Sequence, residues 1–223
     1  MQEIAVVVGI SKRAGTFDKY EAQLQQAGIP LHIEPHDLEL SNNNLGDLNL
    51  RISFMRRLLL KVRDYRRLIL TDGWDMLFYG TREELIAKTP DGVLLSAERV
   101  CWPEPELAPR FPDTGTEWRY VNGGGMAGTH KALTAWTEAL AAYAPEHGEF
   151  VDQRLLNRLR MENAPLAQID STTKLFYTMT RESGQLEVRN GRPYNRFTGE
   201  YPNFIHHCAK LSPDKFLKMM GDA

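Results

Sequence analysis

The sequence predicts an α/β fold from three observations. Short apolar runs recur at residues 4–8, 68–70 and 92–96, the first of them rich in β-branched residues. Segments with helical apolar spacing separate them. Each run stops abruptly at a glycine or a polar cluster. Strand, helix, strand, helix, strand is the pattern of a parallel sheet with helices packed on it.

The elements follow in order. Residues 4–8, Ile-Ala-Val-Val-Val, do not alternate, so they form a strand buried on both faces that ends at Gly9. Residues 17–27 form a helix closed by Gly28 and Pro30, and residues 31–34 a second strand. Residues 41–46 are Asn-rich and form a loop. Residues 52–65 form a helix with Ile52, Met55, Leu58, Leu59 and Val62 on one face. Its basic residues Arg51, Arg56, Arg57, Lys61, Arg63, Arg66 and Arg67 make a solvated face, with phosphate binding as the alternative. The strand at 68–70 runs directly into Thr71-Asp72, a helix follows at 82–88, and a strand at 92–96. Prolines at 103, 105, 109 and 112 make an irregular surface loop as far as Gly115. A short strand at 118–121, a glycine turn at 122–125 and helices at 131–143 and 151–161 come next. Short strands and turns fill residues 187–206. With no repeat and no linker, a single domain over residues 1–223 is expected.

Composition narrows the function classes. The chain carries 27 basic and 29 acidic residues, a net charge of −2, which argues against bulk electrostatic attachment to DNA or anionic membrane. A local basic patch remains compatible with that balance. No apolar run approaches the roughly 20 residues that span a bilayer. Met1-Gln2-Glu3-Ile4 lacks the basic-then-apolar order of a secretory signal. A cytoplasmic, unanchored protein is therefore expected. Its two cysteines, Cys101 and Cys208, are expected to be reduced, a single bridge being the alternative.

Ligands of open α/β sheets gather at the carboxyl ends of the strands. Three polar clusters fall there: Gly9-Ile10-Ser11, the segment Thr71-Asp72-Gly73-Trp74-Asp75, and Ser96-Ala97-Glu98. A turn through Gly73 can bring Asp72 and Asp75 to one side, where two carboxylates repel unless a cation or proton lies between them. Hard ions such as Mn²⁺ or Mg²⁺ suit oxygen ligands and also bind phosphate oxygens. The spacing alone equally fits an Asp that caps the turn and a solvated neighbour. Trp74 fits either a ligand ring or satellite core packing. Asn122-Gly123-Gly124-Gly125 permits close backbone approach and exposes N–H donors, or is a flexible turn. His206-His207-Cys208 offers zinc-type ligands, but adjacent residues seldom aim at one ion and no second pair has finger spacing. A histidine there can instead complete a carboxylate site.

Taken in order, these clusters resemble the glycosyltransferase domain of the multifunctional procollagen lysyl hydroxylases and the related procollagen galactosyltransferases. The matching residues are Leu70 to Phe78, Ser96-Ala97-Glu98 with Cys101-Trp102-Pro103, Tyr120-Val121-Asn122-Gly123-Gly124 with Gly128, Asp152-Gln153 and Ile205-His206. The resemblance implies a GT-A fold, a Rossmann-like mixed central sheet flanked by helices, that binds a UDP-sugar with Mn²⁺ or Mg²⁺. It implies Asp72, Asp75 and His206 as metal ligands, Trp74 beside the nucleoside, and Gly9, Ile10 and Ser11 at the uracil. Asn122, Gly123 and Gly124 would line the sugar pocket, with Asp152 near sugar and acceptor. The chain departs from the family at Val151, where a second acidic residue is usual, at Gly123, where serine is usual, and at His207-Cys208-Ala209, where Gly-Asn-Gly is usual. These changes are expected around the sugar and acceptor rather than the metal.

The expected activity is transfer of a hexose, glucose or galactose, from a UDP-sugar to a hydroxyl acceptor on a glycan, a protein or a hydroxylated nucleobase. Arg51 and Lys210 are candidate diphosphate partners, and Asp152 or Glu98 the general base of an inverting reaction, a retaining one with a group on the opposite sugar face being the alternative. A non-catalytic nucleotide-sugar-binding module and a metal-dependent nucleotidyltransferase are the alternatives.

Overall fold

The computed structural model describes residues 1–10, 13–35, 48–147, 152–162, 164–179, 185–208 and 214–221. In chain order the elements begin with β1 (Gln2–Ile10), α1 (Phe17–Gln26), β2 (Leu31–Pro35), α2 (Leu48–Lys61), β3 (Tyr65–Thr71), β4 (Met76–Phe78), α3 (Arg82–Lys88) and β5 (Val93–Glu98). A 3₁₀ segment (Pro105–Arg110) leads to β6 (Tyr120–Thr129), α4 (His130–His147), α5 (Asp152–Glu162) and β7 (Ala167–Ile169). Then come β8 (Phe176–Thr178), β9 (Leu186–Arg189), β10 (Arg192–Asn195), β11 (Phe204–His206) and α6 (Asp214–Met219).

The central sheet has the order β2-β1-β3-β6-β5-β7. β1 pairs in parallel with β2 and β3, and β5 with β7, while β6 runs antiparallel to both β3 and β5. The sheet is therefore mixed. A smaller sheet, β4-β11-β8, stands beside it, and β9 and β10 form a hairpin.

The uninterrupted apolar character of β1 has a direct cause. Ala5 and Val7 face a core formed with Met55 and Leu58 of α2, Trp136 of α4 and Leu155 of α5. Ile4, Val6 and Val8 face the opposite core, with Tyr20 and Leu24 of α1 and Leu85 of α3. A strand between two helical layers needs apolar residues on both faces. α3 starts as predicted, with a reciprocal capping box between Thr81 and Glu84. Among the described residues, no helix is long and apolar enough to cross a membrane.

Three expectations need correction. The helix predicted at 52–65 runs instead over Leu48–Lys61, and Tyr65 already belongs to β3. Arg66 and Arg67 accordingly lie on a strand, where both approach Glu3 and Asp91. The proline-rich stretch contains a 3₁₀ turn rather than only irregular loop. The glycine turn expected at 122–125 is the middle of β6, where Gly124 and Gly125 admit rings that a side chain would exclude. A Cβ on Gly125 would meet the Phe176 ring at 2.8 Å, and one on Gly128 would lie 2.3 Å from the Gly92 carbonyl oxygen. That last contact is with backbone, which cannot swing away. Gly128→Ala is expected to destabilise the fold by about 1–3 kcal/mol, measured as a lower midpoint in urea unfolding. The loop expected at 41–46 lies outside the described residues.

Candidate active site

Strand polarity brings distant segments to one edge of the sheet. The carboxyl ends of β1, β3 and β5 meet the amino end of antiparallel β6, with Thr71 beside Gly125 and Glu98 beside Tyr120. The Asp72 amide closes the edge by donating to the Gly124 carbonyl at 3.0 Å. The β4-β11-β8 sheet adds a wall, because β11 ends at His206 directly beside Met76.

Asp72, Asp75 and His206 converge there. One ligand atom from each lies within 4.8 Å of the others. His206 Nε2 is 3.1 Å from Asp75 Oδ2 and 3.7 Å from Asp72 Oδ2. The side chains of His206 and Asp75 are 7% and 12% exposed, whereas Asp72 is 45% exposed, so the cluster opens to solvent on the Asp72 side. Burial pushes the Asp75 carboxyl up, but the hydrogen bond from His206, the nearby charge of His206 and His207 and a backbone hydrogen bond together leave the pKa below the usual carboxylate range. Burial likewise opposes protonation of His206, yet the hydrogen bonds to Asp75 and Cys208 and the charge of both partners together raise the imidazole well above its usual value. A proton shared between ring and carboxylate thus stabilises the cluster in the absence of a cation.

The donor set fits a divalent cation, and the other side of the imidazole supports this. The Gly124 amide donates to Asn122 Oδ1 at 3.0 Å, which identifies that atom as the amide oxygen. The same oxygen lies 3.0 Å from His206 Nδ1. An amide oxygen only accepts, so Nδ1 carries a proton. In the neutral ring that leaves the Nε2 lone pair aimed at the carboxylates, the tautomer that ligates metal. Gly124 makes room for this arrangement: a Cβ there would meet His206 Cε1 at 2.4 Å.

The other predicted residues fall as follows. Gly9 and Ile10 end β1, and the Phe54 ring occupies the space a Gly9 side chain would need. Trp74 is half-buried and packs partly against the core on the α1 side. Gly123 does not present a free N–H, since its amide donates to Gln153 Oε1 at 3.0 Å. The Gly124 amide is likewise held, by Asn122, so both amides donate within the protein, and Gly124 also gives room to the His206 ring. Glu98 ends β5 and accepts a hydrogen bond from Gln153. Burial pushes its carboxyl up to about 7, against the lowering effect of Gln153 and His206. Asp152 opens α5 beside Gln153. Ser11 and Lys210, and the side chains of Arg51 and Asp152, lie outside the described residues.

Two groups were not assigned from sequence. Gln153, quoted there only within a motif, joins three segments through Gly123, Glu98 and the Trp102 carbonyl, the last at 3.1 Å. Asn157, one helical turn on, also donates to the Trp102 carbonyl, at 3.0 Å. Together they fix the backbone beneath an exposed Trp102. The second group is His207 with Thr16. His207 faces away from the cluster, with Nε2 3.1 Å from Thr16 Oγ1, so the two adjacent histidines do not share an ion. The departure at 207 therefore bears on the Asp72–Asp75 turn, and Cys208 sits beside His206 Nδ1 at 3.7 Å. Both are nearer the carboxylate cluster than expected.

Comparison with known proteins agrees with this geometry. The profile of the PLOD GT domain matches residues 1–213. Uncharacterized protein R699 of Acanthamoeba polyphaga mimivirus is 27% identical over 150 residues, covering 65% of this chain and 32% of that protein. The human multifunctional procollagen lysine hydroxylase and glycosyltransferase LH3 is 30% identical over 95 residues, covering 39% of this chain and 13% of its own length. The matches thus span about a third or less of these relatives. A crystal structure of a glycosyltransferase involved in glycosylation of the major capsid of PBCV-1 superposes with a TM-score of 0.59 at 11% identity, covering 99% of this chain and 100% of that one. That likeness is one of fold. The match over nearly the whole chain is one of sequence, and by it this chain belongs to the PLOD glycosyltransferase-domain family.

Proposed function

We propose that the chain transfers a hexose, glucose or galactose, from a UDP-sugar to a hydroxyl acceptor, using Mn²⁺, or Mg²⁺ in its place, held by Asp72, Asp75 and His206. What carries the reading is the convergence of two carboxylates and one imidazole whose far nitrogen is pinned by Asn122. A divalent ion bound there supplies charge neutralisation for the departing diphosphate.

The chain's own residues do the rest. Gly9 and Ile10 receive the nucleoside at the end of β1, with Trp74 beside it. Asn122 holds His206 in its ligating tautomer. Glu98, oriented by Gln153, takes the proton of the acceptor hydroxyl in an inverting transfer. The acceptor is a hydroxyl of a glycan, a protein or a hydroxylated nucleobase.

The test incubates purified protein with Mn²⁺ and a panel of UDP-sugars and follows UDP release. Metal-dependent release from UDP-glucose or UDP-galactose is expected. UDP binding without release would leave a binding module, and pyrophosphate release from a nucleoside triphosphate would indicate a nucleotidyltransferase. No release, together with no thermal shift from UDP plus Mn²⁺, rejects the reading.

A further inference from the structure

The turn that carries Asp72 and Asp75 is held from outside by two residues. Thr16 precedes α1, and its amide donates to the Trp74 carbonyl at 2.8 Å. The His207 amide donates to the Asp75 carbonyl at 2.9 Å. The Thr16 hydroxyl donates to the Met76 carbonyl at 2.9 Å, with the Trp74 carbonyl 3.2 Å away. Three consecutive carbonyls, 74 to 76, are thus each satisfied by Thr16 or His207.

These two residues are also joined to each other. A hydroxyl has one proton, and the Thr16 proton goes to a carbonyl, so its remaining contact must be one in which it accepts. His207 Nε2, 3.1 Å away, is therefore the donor. The chain runs from imidazole N–H to hydroxyl to carbonyl, and successive hydrogen bonds of this kind polarise one another. His207 is 4% exposed, so water competes little for these bonds. Gly15 lets the segment approach: its φ is +61°, and a Cβ there would lie 2.1 Å from the Trp74 carbonyl oxygen.

We propose, on the reading that Asp72, Asp75 and His206 hold the ion, that Thr16 and His207 form a brace that positions Asp75. The two are positioning residues and touch neither donor nor acceptor. His207 is suited to this because it directly follows His206. One short segment thereby delivers a ligand through residue 206 and fixes the opposing carboxylate through residue 207. A movement of β11 relative to the turn would disturb both at once.

The test uses the whole chain and Mn²⁺ alone as probe, with free Mn²⁺ followed by electron paramagnetic resonance. His207→Ala and Thr16→Val are each expected to raise the Mn²⁺ dissociation constant about tenfold, as for partners behind a metal ligand. The double variant should be little worse than either single one, since each breaks the same brace. Thr16→Ser and His207→Gln, which keep an oxygen and an N–H at the contact, should recover most of the affinity. Amide hydrogen exchange of Asp72 and Phe78, which flank the turn, should quicken in His207→Ala whether or not metal is present. Unchanged Mn²⁺ affinity and unchanged exchange in the single variants overturn the brace, as do losses that multiply in the double variant. Wild-type protein that fails to bind Mn²⁺ removes the metal reading instead, and the exchange measurement still decides whether the turn is braced.

Discussion

Asp75→Asn is expected to abolish Mn²⁺-dependent UDP binding while leaving the protein folded. The Asp75 carboxylate is largely buried and faces His206 Nε2 at 3.1 Å, so on the proposed reading it is a preformed anionic ligand. Asparagine has nearly the same shape but carries no charge, and an amide is a far weaker partner for a hard cation. Folding should survive because the turn is held by main-chain contacts to residues 74 to 76, which the substitution leaves in place. Sugar transfer should fall by at least about 10²–10³-fold, the order lost when charge stabilisation is removed from a transition state. Calorimetric titration of UDP with and without Mn²⁺ checks the binding, and UDP release checks the rate. Wild-type affinity in the variant would show that Asp75 is not a ligand.

The second large effect is expected at Glu98. Glutamine at this position can still accept from Gln153, so the local geometry should be retained. It cannot take a proton, and the turnover number should fall about 10²–10⁴-fold, the usual worth of a positioned base. UDP affinity should change little, which separates this variant from Asp75→Asn. The pH profile gives an independent sign. Burial raises the Glu98 carboxyl to about 7. Below that value it is protonated and inert as a base; above it, ionised and active. Activity should therefore rise with pH through a midpoint at or below about 7, the nearby cation drawing it downward. The rising limb should vanish in Glu98→Gln. A limb that persists in the variant assigns the base role elsewhere, with Asp152 next to be tested.

Much of the fold was legible because burial on both faces leaves a plain signature. β1, β3 and β5 each contain a short continuous apolar run, and α3 spans the residues expected of it, 82–88. β6 was not legible. Its strand character comes from what packs against its glycines, the rings of His206 and Phe176 and the Gly92 backbone, and none of these is local in sequence. The family resemblance implied a mixed sheet but not which strand runs antiparallel; the pairing shows that it is β6. The three-residue strands β4, β8 and β11 exist because they pair with one another, and each is too short to show a period.

The site divides in the same way. Asp72 and Asp75 stand out in sequence because they follow an apolar strand and flank a glycine. His206 lies 131 residues beyond Asp75; the residues offered it only as one of two adjacent histidines able to complete a carboxylate site, and the order of the family's motifs selected it. Gln153 was quoted only within a motif, although its amide group joins three segments through Gly123, Glu98 and Trp102. His207 was taken as a departure near the acceptor, although its partner Thr16 lies 191 residues away.

The sequence by itself determined where strands end in polar groups, and with the motif order it determined the family. Hydrophobic period and turn chemistry are local, and they act before the chain is folded. The tertiary structure alone decided which polar groups face one another. It turned Asn122 into the partner that sets the His206 tautomer, turned the exposed glycines into packing sites, and made the Thr16–His207 pair the support of Asp75. Those outcomes depend on angstrom-scale distances between segments that only the packed core brings together.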